Sequence, residues 1–189
     1  MITLINLADE HAFFLHLDGA RIWNAITKTG IEHAFFGSVA DTISICFSKG
    51  LGAPVGSMML SSKNLVAKAR RFRKMWGGGM RQVGILAAAA DYAVEHHFPL
   101  LEEDHRRARI FAEAVKLNDA FEIDLSSVET NIVIFDVKKE SAKEVLDSFA
   151  SSGVGMIPFG PKTIRATFHF QAGDDALSKV IEVVNGYSH

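Results

Sequence analysis

Within residues 43–60, ISICFSKGLGAPVGSMML, a lysine stands between an apolar run and a glycine-rich turn. Lys49 follows β-prone ICF and precedes GLG, so one side is expected to be dry while the other lets backbone approach closely. Desolvation disfavours an ammonium ion, and the neutral amine attacks carbonyl carbon. An acid occupies a comparable position earlier, Asp18 in HLDG at the end of residues 14–17, FLHL. Ligands in open α/β sheets bind beyond the carboxyl ends of strands, so both side chains are expected at one crevice, as a buried acid and a buried amine.

An amine and an acid in that relation suit pyridoxal 5'-phosphate (PLP). That cofactor is held as a Schiff base on a lysine, and an acidic side chain on its ring nitrogen lets the ring act as an electron sink. Lys49 fits the first role and Asp18 the second. His16 lies on the same strand face as Asp18, and His169 follows Arg165 by four residues. Neither histidine is assigned a catalytic role.

The elements that must position these residues alternate along the chain. Residues 4–13 read as the end of a helix, 14–17 as a short strand broken at Asp18 and Gly19, and 21–27 as a helix. Residues 41–48 and 55–60 resemble buried strands around the turn GLGAP. Residues 62–74 form a helix with Ser61 or Ser62 as N-cap, stopped near Trp76 by Gly77, Gly78 and Gly79. A long helical stretch over 81–117 is bent or broken at Pro99. Strand 131–137, helix 141–151, strand 164–170 and helix 174–186 then give the order β-α-β-α of a small two-layer α+β domain. The change of domain is expected between Pro99 and Asp119, giving units at about 1–100 and 101–189.

Composition bounds the class. The 189 residues are 48% hydrophobic and 22% charged, with a net charge of −2 when the eight histidines are neutral. That balance favours neither nucleic acid nor a membrane as partner. The basic run KARRFRK at 68–74 reads at helical spacing as a solvated face. A single cysteine, Cys46, sits inside an apolar run as a small buried hydrophobe, and no apolar run approaches the roughly 20 residues that span a bilayer. With no basic region ahead of an apolar core at the start, the chain reads as cytoplasmic. No metal site is expected.

Three segments then carry a resemblance: HLDGARIWNA at 16–25, SICFSKGLGAPVGS at 44–57 and RRFRKMWGGGMRQVGILAAAA at 70–90. In this order and spacing they closely resemble the low-specificity threonine aldolases and β-eliminating lyases, over residues 1 to about 170. The resemblance implies an α/β fold of the PLP-dependent transferase type (fold type I), here an incomplete large-domain parallel sheet with a small C-terminal α+β domain. It implies that Lys49 is the catalytic Schiff-base lysine and that Asp18 partners the pyridine nitrogen. Arg21 then lies beside the cofactor ring, and Lys74 and Arg81, flanking WGGGM, lie near the cofactor phosphate or a neighbouring subunit's site. Arg165, in TIRATFH, would pair with the substrate carboxylate. The activity implied is cleavage of threonine or allo-threonine to glycine and an aldehyde; β-elimination uses the same machinery and stays open as an alternative.

HLDGAR lies near the middle of relatives about twice as long as this chain. The phosphate-holding Ser/Gly-Thr segment and the ring-stacking side chain are not found here, and none of the eight histidines is assigned to stacking. Two expectations follow: the C-terminal part of a threonine-aldolase-like enzyme, or a non-catalytic domain that oligomerises. Missing strands would leave an apolar sheet edge open, so a homo-oligomer or a complementary N-terminal segment is expected to cover it.

Overall fold

A computed structural model of the chain describes residues 2–188. The chain divides into two compact units, Met1–Pro99 and Leu100–His189.

In the first unit, helix α1 (Ile2–Glu10) leads into strand β1 (His16–Gly19). The helix stops three residues before the expected end because Ala12 takes a left-handed φ of 53°. Phe13 N–H then donates to Ala8 C=O at 2.8 Å and Ala12 N–H to Asp9 C=O at 3.3 Å, which satisfies the last carbonyls. Helix α2 (Ile22–Thr29) and a short helix α3 (His33–Val39), which sequence patterning did not pick out, precede strands β2 (Thr42–Cys46) and β3 (Ser57–Ser61). Helix α4 (Lys63–Met75) has Ser62 as N-cap, its hydroxyl accepting from Leu65 N–H. It ends at Gly77, whose φ of 79° lets Gly78 N–H reach back to Arg73 C=O at 2.8 Å. The helical stretch expected over 81–117 begins later, with α5 (Gly84–His96), and breaks at Pro99 in a single 3-10 turn.

The three strands form one sheet in the order β1-β2-β3. β1 and β2 are parallel, with Asp18 opposite Ser44. β3 departs from the expectation of a second buried strand: it is antiparallel to β2 and exposed over Ser57 to Leu60. The reason is length. Residues 47–56 are too few for the crossover that a parallel return needs, about a dozen residues or more, so the chain turns back as a hairpin and β3 becomes the sheet edge.

The second unit starts with α6 (Leu101–Leu117) and continues through β4 (Phe121–Glu122), β5 (Ile132–Val137), α7 (Ala142–Ser151), β6 (Ile157–Pro158), β7 (Thr163–Thr167) and α8 (Asp174–Gly186). The sheet is antiparallel throughout, in the order β4-β5-β7-β6. The expected β-α-β-α order is present, with β4 and β6 added as two-residue strands. Alternation along β5 turns Val133, Phe135 and Val137 inward. There they join Phe111, Val145, Phe149, Ile164 and Val184 in one apolar core. Edge-to-face rings at Phe111–Phe135, Phe121–Phe135 and Phe121–Phe149 fill it. Ser141 and Glu144 form a reciprocal capping box that fixes the start of α7.

One polar group in this unit is costly. Asp104, in the first turn of α6, is fully buried, and neither carboxylate oxygen has a hydrogen-bond partner. Burial pushes its pKa up to about 6 from an ordinary 3.8, although Arg107, 3.6 Å away, acts in the opposite direction. Between those two values the folded state keeps a proton that the unfolded state has lost, so stability falls as pH rises through this window and levels off above it. Core amides such as Val133, followed by hydrogen exchange in the full chain, are expected to lose protection from about pH 4 to pH 6. In Asp104→Asn that fall should be absent.

Candidate active site

Parallel pairing brings the carboxyl ends of β1 and β2 to the same sheet edge. Asp18 is the third residue of β1, and Lys49 lies three residues beyond the end of β2. The pairing is close at Gly19, where a Cβ would stand 2.8 Å from the Ser44 carbonyl oxygen and 3.3 Å from the Ile22 Cβ. Only glycine lets the two backbones and the start of α2 meet there.

The sheet has two chemically different faces. Ile43, Ile45 and Leu60 share one face with Ile22 and Ile26 of α2 and Phe36 of α3, around a cavity of about 260 Å³. The other carries His16, Asp18, Thr42 and Ser44. His16 Nδ1 hydrogen-bonds Thr42 Oγ1 at 2.7 Å, and the Ser44 hydroxyl donates to Asp18 Oδ1 at 3.4 Å. Ala20 N–H donates to the same Oδ1 at 3.1 Å, a local turn that fixes the carboxylate's rotamer. Ser44 was not singled out in the sequence; strand alternation, which sets it opposite Asp18, is the signal that identifies it.

Lys49 rides on a well-anchored turn. Phe47, Leu51 and Ala53 are buried. Gly52 N–H donates to Lys49 C=O at 2.8 Å, Ala53 N–H to Phe47 C=O at 3.0 Å, and Phe47 N–H to Gly56 C=O at 3.0 Å. Trp23 Nε1–H donates to Cys46 C=O at 3.1 Å, just ahead of the turn.

The expected buried acid and buried amine are not what the structure contains. Asp18 and Lys49 are both exposed. The apolar neighbours that suggested burial of Lys49 turn inward and leave the lysine outward, and Asp18 projects from the polar sheet face. Arg21 caps α2 and is exposed. Lys74 lies in the last turn of α4, and Arg81 precedes α5; both are exposed, with no side-chain hydrogen bond or ion pair among the described residues.

Arg165 belongs to the second unit. It lies on β7, between Ile134 of β5 and Ile157 of β6, and is half-buried. Its guanidinium carbon sits 5.6 Å from the centre of the Phe159 ring, a cation–π contact, while its buried Nε–H has no acceptor. Phe159, beside the Gly160–Pro161 turn, was not noted in the sequence. Among the described residues, no group of three or more His, Cys, Asp or Glu could hold a metal ion.

A family model described as beta-eliminating lyase matches residues 1–140. The chain belongs to the beta-eliminating lyase family. Among its curated relatives is the Arabidopsis thaliana protein named "Probable low-specificity L-threonine aldolase 2", 40% identical over 97% of this chain and 52% of its own length. The low specificity L-threonine aldolase of Escherichia coli (strain K12) is 37% identical over 90% of this chain and 50% of its own. This family member therefore spans about half the length of the curated relatives it matches. The fold agrees. A solved Listeria monocytogenes structure, of a protein assigned as an L-allo-threonine aldolase, superposes with a TM-score of 0.81 at 19% identity, over 97% of this chain and 54% of that one. Rhodiola rosea 4-hydroxyphenylacetaldehyde synthase superposes at 0.71 and 21% identity, over 96% and 44%. The resemblance read from three segments, and the fold class it implied, are both supported by these matches.

Gly19→Ala should lower the stability of the first unit by about 1–3 kcal/mol, since backbone must shift to admit the methyl group. Faster amide exchange along β1 and β2, relative to the unsubstituted chain, is the expected reading.

Proposed function

We propose that this chain serves a PLP-dependent carbon–carbon lyase that cleaves threonine or allo-threonine, as 3-hydroxy amino acids, to glycine and an aldehyde. The observation that carries the reading is the juxtaposition of Asp18 and the Lys49 turn at one end of a parallel strand pair, in a chain of this family.

The donor set fits the cofactor. Lys49 offers a primary amine on an outward turn, accessible to an aldehyde, and Asp18 offers a carboxylate at the same edge with its Oδ1 already engaged by Ala20 and Ser44. Oδ2 would be left to accept a hydrogen bond from a protonated ring nitrogen. Arg21 stands three residues from Asp18, where it suits the edge of that ring. Lys74 and Arg81, without an ion-pair partner among the described residues, are cations suited to a phosphate. Arg165, whose Nε–H has no acceptor and whose guanidinium lies against the Phe159 ring, would offer a substrate carboxylate a planar, two-pronged partner. When bound, PLP supplies an electron sink for the pair left on the substrate α-carbon.

In this reading the first unit is the C-terminal part of a PLP-binding large domain and the second is the small domain. The family description also supports a second reading, β-elimination from an amino acid, which would use the same amine and carboxylate. We assign the protein to the cytoplasm on its single cysteine and its composition; no described helix is long and apolar enough to cross a membrane. Self-association, or pairing with a complementary N-terminal segment, is supported by exposed Met75, Trp76, Met80, Ile85 and Tyr92 around α4 and α5.

Adding PLP to the chain should produce a visible absorbance band that Lys49→Ala lacks; identical spectra would end the cofactor reading. Glycine formed from threonine isomers supports aldol cleavage, whereas pyruvate and ammonia from serine favour elimination. Sedimentation should give a species larger than one chain, and a stable monomer would remove the self-association reading.

A further inference from the structure

The turn that carries Lys49 is tied to the C-cap of α5, 46 residues beyond Leu51. Leu51 is 1% exposed, so its carbonyl needs a partner within the protein. That partner is His97, whose Nδ1 lies 2.7 Å from the Leu51 oxygen. A carbonyl only accepts, so the ring must carry a proton on Nδ1. His97 is itself held: it is the C-cap of α5, its N–H donates to Ala93 C=O, and its ring meets Tyr92 edge-on at 5.5 Å.

The bonds inside the turn, Gly52 to Lys49 and Ala53 to Phe47, are local and would move with it. Only contacts from elsewhere in the unit fix its place. Trp23 supplies one at Cys46, before Lys49, and His97 supplies another at Leu51, after it. The lysine stands between two tethered carbonyls.

We infer that His97 is a positioning residue for Lys49, acting through the Leu51 carbonyl to hold the amine-bearing turn in place. The inference rests on the reading of Lys49 as the amine that receives PLP. Exchange data taken without the cofactor test the tether separately from that reading.

In the full chain without PLP, His97→Leu should speed amide exchange at Gly52 and Ala53 by about tenfold, the loss expected for one hydrogen bond. Exchange at Ile26 in α2 should stay unchanged. His97→Asn, whose amide N–H can replace Nδ1–H, should restore most of the protection. The yield of PLP fixed to Lys49 by borohydride, read on the modified peptide, should fall and recover in the same order. Unchanged exchange in a folded His97→Leu, or no recovery in a folded His97→Asn, would overturn the tether. Faster exchange with undiminished labelling would overturn its role for Lys49. Should His97→Leu not fold, nitrogen NMR of the unsubstituted chain still decides: a proton on Nδ1 is required, and a bare Nδ1 sinks the proposal. An unsubstituted chain that takes no PLP at Lys49 defeats the cofactor reading alone, because the exchange comparison stands without it.

Discussion

The first unit depends on how closely two backbones can approach. β1 and β2 meet at Gly19 with no room for a side chain, and this contact sets the pair's register, with Asp18 opposite Ser44. The same contact admits the start of α2, whose Ile22 and Ile26 cover the apolar sheet face. Parallel direction does the rest: two strands that end on one side deliver an acid and a lysine-bearing turn there. A hairpin between them would have sent the two groups to opposite ends.

Much of this was legible in the sequence, for identifiable reasons. The strand-end positions of Asp18 and Lys49 follow from short β-branched runs bounded by glycine. The Ser62 cap, the break at Pro99 and the amphipathic α7 and α8 rest on local rules that tertiary contacts do not override. Exposure was not legible. Apolar neighbours around Lys49 suggested a dry amine, but the turn leaves Ser48 and Lys49 exposed together while Phe47 and Leu51 take the interior. The orientation of β3 also escaped, although the ten residues before it carry the information as a length. α3 is a seven-residue helix that buries only Phe36, too little for periodicity to reveal.

The second unit obeys a different constraint. Its antiparallel sheet keeps one face for a phenylalanine-rich core, and polar groups that enter the unit's interior do so at a cost. Asp104 is admitted without a hydrogen bond and carries a displaced protonation as a result. Arg165 is admitted beside an aromatic ring, with one donor left over.

The two tryptophans of this chain occupy opposite kinds of surroundings. Trp23 is half-buried among His33, Phe47 and Phe98, its indole bonded to the last carbonyl of β2; Trp76 is 80% exposed beside Phe72. Their emission should therefore differ in colour, bluer from Trp23 and redder from Trp76. The protein carries two intrinsic optical reporters, one beside the lysine turn and one on the glycine-rich segment, which a quencher in water would separate by reaching Trp76 first.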